Sequence, residues 1–183
     1  MAIVTLAAAK AQLNIPPSDT SEDVELQTYI DAAVSAVETQ LGQVVDPRTV
    51  LDQLDFHGSV TSFVLRSAPV ISLTSVVSLD GAQTWALSAP VMRVDGPSGA
   101  VTVLSGPPIR GSVLVTYQAG YTAVPANFRL AALIIIQHLW ETQRGTMGVQ
   151  LGGDDSGGWM AGRGFAIPRR AQELLGPQLP GVA

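Results

Sequence analysis

The densest concentration of candidate chemistry is "RGTMGVQLGGDDSGGWMAGRGFAIP", Arg144 to Pro168, with eight glycines, the adjacent carboxylates Asp154 and Asp155, one Trp and two Arg. A phosphate cradle needs its glycines between a strand and a helix and must end in Gly-Lys-Ser/Thr. This segment follows a helical pattern, and the chain has no lysine after Lys10. A calcium loop needs oxygen ligands at alternate positions and a closing Glu; Asp154, Asp155 and Ser156 offer no such register. The remaining reading is an interface loop. Glycines leave the backbone free, and Trp159, Met160 and Phe165 are large anchor side chains of the kind enriched at protein contacts. Arg163 within the loop, and Arg169 and Arg170 after it, can pair with an acidic partner surface, either a neighbouring copy or another protein.

Catalytic and metal chemistry are sparse. His138 and Glu141 stand three apart on a predicted helix, a spacing that puts two ligands on one face, but two ligands do not make a site and His57 lies in a distant β-rich region. A partly buried, satisfied histidine is the simpler reading. Gly-x-Ser-x-Gly, HExxH and dinucleotide fingerprints are missing from the sequence. "DGPSG" at 95–99 is turn chemistry. The residues therefore predict no catalytic residues, no metal and no cofactor, and a protein that is not an enzyme.

A second cluster is acidic: Glu22, Asp23, Glu25, Asp31 and Glu38 fall on or beside one predicted helix. Such a face is commonly just solvated. Repeated around a ring, it would make an inter-subunit surface or line a channel through which DNA slides without sticking. The wider charge pattern is asymmetric. Residues 1–55 hold nine acids against Lys10 and Arg48, a balance of −7, and the remainder is +2. Opposite ends suit head-to-tail contact between copies. A net charge of −5 carries no basic footprint for duplex binding.

These residues need elements to position them. "TLAAAKAQL" (5–13) predicts a short helix with Thr5 as its N-cap, ended by "NIPPS". A second helix is expected from about Thr20 to Leu41, with Leu26, Ile30, Ala33, Val34, Val37 and Leu41 forming its buried stripe and Gly42 its C-cap. Between Val44 and Tyr121 the pattern turns β. "TSFVLRS", "VISLTSVVSL", "QTWAL", "VMRVD", "GAVTVL" and "SVLVTYQAGY" predict six or seven short antiparallel strands joined by hairpins, in a compact sheet or small barrel. "VPANFRLAALIIIQHLWETQRG" predicts a deeply buried helix led by Pro125, with Leu130, Leu133, Ile134, Ile136 and Trp140 inward. "IPRRAQELLG" predicts a last short helix.

The fold class is thus α+β: a helical core of three main helices plus a short C-terminal one, with an inserted antiparallel β-subdomain. The expected divisions are an N-terminal helical part (1–43), a β-rich insert (44–121), a core helix (122–145), the glycine-rich interface loop (146–166), and a C-terminal short helix and tail (167–183). With 46% hydrophobic residues, 183 residues can bury a substantial core. The absence of cysteine excludes disulfides and thiolate metal sites. The longest apolar run, "LAALIII", is too short to span a bilayer, and the start lacks the basic n-region of a signal peptide. The expectation is a soluble protein made in a cytoplasm, with no membrane partner.

The order of these blocks resembles the head-to-tail connector (adaptor) proteins of long-tailed bacteriophages, in the branch with a β-insert between helices. Four stretches carry the resemblance: "TLAAAKAQLNIPPSDTSEDVELQTYIDAAVSAVETQLG", "RSAPVISLTSVVSLDG", "VTYQAGYTAVPANFRLAALIIIQHLWETQRG" and "FAIPRRAQELLGP". They cover most of the chain in the family's order. The chain departs from the family in its long glycine insertion and in its ending, "GPQLPGVA". The resemblance implies a structural virion protein of the neck, made in the host cytoplasm. It implies a homo-oligomeric ring, usually of twelve copies, beneath the portal protein and above a stopper or tail protein, with DNA passing through unread. Rival readings are a tail-completion or terminator protein of the same particle, a small β-rich carbohydrate-binding module, and a hydrolase built on His138 and Glu141.

Overall fold

The structure is a computed structural model and describes residues 2–81, 83–87, 91–144 and 167–176. The chain divides into two compact units. One comprises Gly42–Val124 with Met1–Ala2, and the other Ile3–Leu41 with Pro125–Ala183. Among the described residues, four helices and two small antiparallel sheets make the fold α+β, a helical core with a β insert.

In the helical unit, α1 (Leu6–Gln12) starts where the Thr5 hydroxyl accepts from the Ala8 N–H at 3.2 Å. It ends in a Schellman arrangement with Asn14 left-handed at φ 57°. The Ile15 N–H reaches the Lys10 carbonyl at 2.9 Å and the Asn14 N–H the Ala11 carbonyl at 3.3 Å, after which Pro16 and Pro17 forbid continuation. α2 (Asp23–Leu41) begins later than the Thr20 expected from its spacing. The Asp19 carboxylate takes the Ser21 N–H at 3.0 Å and its hydroxyl at 2.7 Å, a local turn that holds residues 19–21 out of the helix. Leu26, Ile30, Ala33 and Val37 are buried along α2, each large member contributing about 1.5–3 kcal/mol. Val34 and Leu41 lie at the margin of that stripe.

α3 (Ala126–Arg144) buries Ile136 as its sequence suggests but otherwise turns a different face inward. Ala131, Ala132, Ile135 and Ile136 are buried, whereas Leu130 is 46% exposed and Leu133, Ile134 and Trp140 are half-buried. "LAALIII" is apolar on every side, so periodicity cannot set its phase; the two alanines take the closest approach. α4 (Arg169–Leu175) follows Pro168 and ends at Gly176, φ 78°. The Asn127 side-chain amide holds the Leu174 carbonyl at 2.8 Å, tying α4 to the start of α3.

The β unit differs from a row of short hairpin strands. One sheet has the order β1 (Arg48–Val60), β6 (Ile109–Ala119), β3 (Val70–Ser78), and the other β2 (Ser62–Val64), β5 (Ala100–Val103), β4 (Met92–Asp95). Among these strand pairs only β4–β5 are sequence neighbours. "QTWAL" forms no strand, only a bridge between Thr84 and Val77, because Trp85 turns into the core with its indole N–H on the Pro107 carbonyl at 3.0 Å. The longest strand, β1, went unread in the sequence. Its inward positions are Val50, Asp52, Leu54 and Phe56, and an acid in the middle breaks the apolar alternation that marks a strand. Phe63, Met92, Val101 and Val103 from one sheet, with Leu65 just after β2, share a single core with Val76, Val113, Val115 and Tyr117 from the other.

Candidate interaction surfaces

Of the acidic cluster, only Asp31 is exposed, and it accepts from the Gln27 amide at 2.8 Å. Glu22, Asp23, Glu25 and Glu38 are half-buried. Asp31 and Glu38, seven apart, share one face of α2, and Glu22 and Glu25, three apart, share another. The Glu25 carboxylate accepts from the Tyr29 hydroxyl, and the Tyr29 ring meets Trp140 edge-on at 6.3 Å. Asp23 is committed inside the unit: its Oδ1 lies 2.5 Å from Nζ of buried Lys10, which also donates to the Asp19 carbonyl at 2.7 Å. Oδ1 of Asp23 makes no well-directed hydrogen bond, so this contact is an ion pair. The sequence thus clusters five acids that the fold distributes over α2, one of them neutralised by the chain's only lysine.

Arg169 and Arg170 are both exposed on the first turn of α4. Nε of Arg169 stands 3.5 Å from Oε1 of Glu173, with side chains 92% and 68% exposed, so water screens the pair and it contributes little. Both side chains are thus open to solvent. Trp159, Met160, Arg163 and Phe165 lie outside the described residues.

Glu141 accepts from the Gln137 amide at 2.8 Å, and Gln137 accepts from Gln12 at 2.9 Å, a chain of bonds joining α1 to α3. No group of three potential metal ligands exists among the described residues, and no described helix is long and apolar enough to cross a membrane.

Two features of the β unit escaped the sequence reading. The first is a polar knot inside its core. Oδ2 of buried Asp52 accepts from the Tyr117 hydroxyl at 2.8 Å and from the Arg66 N–H at 2.9 Å; the Tyr117 oxygen accepts from the Ser67 N–H at 3.1 Å. Burial, and then the neighbouring carboxylate, raise the Tyr117 pKa above the ordinary 10.0. The second is the unit's exterior. The inner sheet faces share a core, so the outer faces point away from each other. Leu51 (63% exposed) stands on the outer face of the β1–β6–β3 sheet and Val64 (62%) on that of the other, while Leu79 (51%) and Leu104 (55%) are exposed just after β3 and β5. An alternation count would have found Leu51 once β1 was recognised.

Comparison with known proteins agrees with this architecture. A family model described as head completion protein matches residues 2–175. No curated protein matches the chain. Among solved structures, a chain of the "Neck of empty GTA particle computed with C6 symmetry" is similar at 19% identity and TM-score 0.67, covering 98% of this chain and 92% of that one. A chain of the "Virion of native gene transfer agent (GTA) particle" is similar at 18% identity and TM-score 0.64, with the same coverage. One from the "Neck of native GTA particle computed with C12 symmetry" reaches 16% identity and TM-score 0.53 over 86% of this chain and 84% of that one. With a family match running from residue 2 to residue 175, the chain belongs to the head completion protein family.

Proposed function

We propose that this chain is a head-to-tail adaptor: a structural virion protein that assembles as a ring in the neck, with the portal on one side and a stopper or tail protein on the other. The family match over residues 2–175 carries the reading. The nearly full-length likeness to neck chains, one of them in a C12 assembly, supports a ring of twelve. The work is mechanical. Heterologous contacts close a ring, and the ring then templates docking above and below while DNA passes through unread. Exposed Arg169 and Arg170, with Trp159, Met160, Arg163 and Phe165, supply contacts to the portal or a neighbouring copy. Asp31 and Glu38, with Glu22 and Glu25, supply the acidic surface between copies or along the channel; Asp23 serves the subunit's own fold.

Particles produced without this chain test the reading. The expected product is DNA-filled heads and separate tails that do not join, with joining restored when the purified protein is added. Complete particles formed in its absence would overturn the assignment. Tails of irregular length on joined particles would point to a tail terminator instead.

A further inference from the structure

The two sheets of the β unit have four outer strands, β1 and β3 in one and β2 and β4 in the other. An outer strand carries a row of main-chain N–H and C=O groups that can pair with another chain, and folded proteins blunt such edges by shortness, bulges, cover or charge. β2 (three residues) and β4 (four) are short. β3 has register shifts between Val70 and Ser72 and between Leu73 and Ser75. Its far side is also covered: the Val70 N–H reaches the Gly96 carbonyl at 2.7 Å, the Trp85 N–H the Val76 carbonyl at 3.0 Å, and the Ser78 N–H the Gln83 carbonyl at 2.8 Å. β1 has none of these protections. From Arg48 to Phe56 it runs beside β6 without a register shift, and it holds neither proline nor lysine. Among the described residues, no main-chain group pairs with its far side between Thr49 and Phe56.

What stands at that edge is Arg66, just beyond β2. Its N–H is fixed on Oδ2 of buried Asp52 at 2.9 Å, and its exposed guanidinium reaches the Gln53 carbonyl at 3.4 Å. One residue thus grips two consecutive positions of β1, from the core through its main chain and from the solvent through its side chain. We infer that Arg66 is a guard on the β1 edge, which keeps two copies of this chain from pairing strand to strand there. An exposed hydrogen bond of that length adds little stability, so the guard works by occupancy and charge. The occupant it excludes follows from the strand itself. Like edges pair antiparallel about a twofold axis. An axis through Gln53, in the middle of the open stretch, sets Leu51 against Asp55 and Thr49 against His57, and opposes no like charges along the strand. Arg66 is what opposes it, because such a pair brings two guanidinium groups together at its centre. Buried Asp52 holds the main chain of Arg66 in place for this role. The guard belongs to the subunit alone and holds whatever neighbours the subunit meets in a particle.

The purified full chain tests the guard. At a concentration where the parent chain sediments as one species, Arg66→Ala should add a species of twice its mass. Arg66→Gln, which keeps much of the aliphatic stem and loses the charge, should do the same. Both variants keep the N–H that binds Asp52, so their circular dichroism should match the parent's. Adding Gln53→Lys to the Arg66→Ala chain returns a cation to the edge and should restore the single species. The chain has no cysteine, so engineered thiols report without background. Gln53→Cys with Arg66→Ala should give a covalent dimer with a short thiol-to-thiol reagent, and Gln53→Cys alone should give none. Arg66→Ala and Arg66→Gln chains that fold and add no larger species would overturn the inference. So would association that Gln53→Lys leaves unchanged, a Gln53→Cys dimer that forms with Arg66 in place, or none when Arg66 is removed. Loss of the fold in both Arg66 variants would make the side chain a packing element and equally reject the guard.

Discussion

Tyr117 on β6 donates its phenolic proton to Asp52 on β1 at 2.8 Å, and together the two side chains bind the consecutive main-chain N–H groups of Ser67 and Arg66. The segment leaving β2 is therefore tied to the opposite sheet by a buried polar relay. Asp52→Leu removes the acceptor and strands two donors, each worth about 1–3 kcal/mol when unsatisfied, so it should lower stability by about 2–6 kcal/mol. Asp52→Asn keeps an oxygen for both donors and should cost less than about 1.5 kcal/mol. Tyr117→Phe should fall between them. Denaturant unfolding midpoints check this order, and a double-mutant cycle should show the two residues coupled.

The same relay sets the alkaline limit of the β unit. The native Tyr117 pKa is raised by burial and then by Asp52, and that of Tyr121 by burial. A group whose native pKa is raised favours its protonated form in the fold. Its stabilisation is complete below the unfolded value of 10.0 and is lost as pH rises through the native value. The ionisation of both tyrosines should therefore leave stability unchanged around neutral pH and lower it above about pH 10. In Tyr117→Phe the decline should be shallower. Thermal melts across that window, followed alongside tyrosinate absorbance, measure it.

Much of this was legible from residue order because helix periodicity and capping are local. Thr5, the α2 stripe through Leu26, Ile30, Ala33 and Val37, and Pro168 before α4 all stand where the sequence puts them. What was not legible depends on tertiary context. β1 is hidden by Asp52, an acid buried because Tyr117, distant in sequence, supplies its donor. The phase of α3 is undetermined in an all-apolar run, and Leu130 points outward as a result. The acidic cluster reads as one surface until Lys10 claims Asp23. The outer-face residues Leu51 and Val64 have meaning only once two sheets are known to share a core.

Lys10 and Asp23 bring a third expectation. Lys10 is buried and its ammonium lies between the Asp23 carboxylate and the Asp19 carbonyl, pinning α1 to the entry of α2. Lys10→Met keeps the stem's packing but removes the charge, leaving Asp23 half-buried without its cation. Breaking a buried pair by removing one partner costs about 3–5 kcal/mol, and the partial exposure of Asp23 places this case at the lower end. The double variant Lys10→Met with Asp23→Leu should recover most of the loss. At about 2–4 °C per kcal/mol for a chain of this size, melting temperatures resolve both effects.

Gly120 follows β6 at φ 120°, a conformation that L side chains rarely adopt, and a Cβ there would meet the Pro47 backbone at 2.8 Å. Those are main-chain atoms, and Gly120 is itself held on the other side by its N–H on the Pro69 carbonyl (2.8 Å) and by the Tyr121 N–H on the Val45 carbonyl (3.1 Å), so the two backbones cannot separate cheaply. Gly120→Ala combines backbone strain of about 1–3 kcal/mol with a steric cost of similar size. Two other glycines separate the contributions. Gly106 has φ 104° but nothing within 4 Å of a Cβ, so Gly106→Ala bears only the strain. Gly58 has neither positive φ nor a near neighbour, so Gly58→Ala should be nearly neutral. The expected order of destabilisation is Gly58 below Gly106 below Gly120, read from urea midpoints. A Gly120→Ala variant no less stable than Gly106→Ala would show that residues 46–47 yield at little cost.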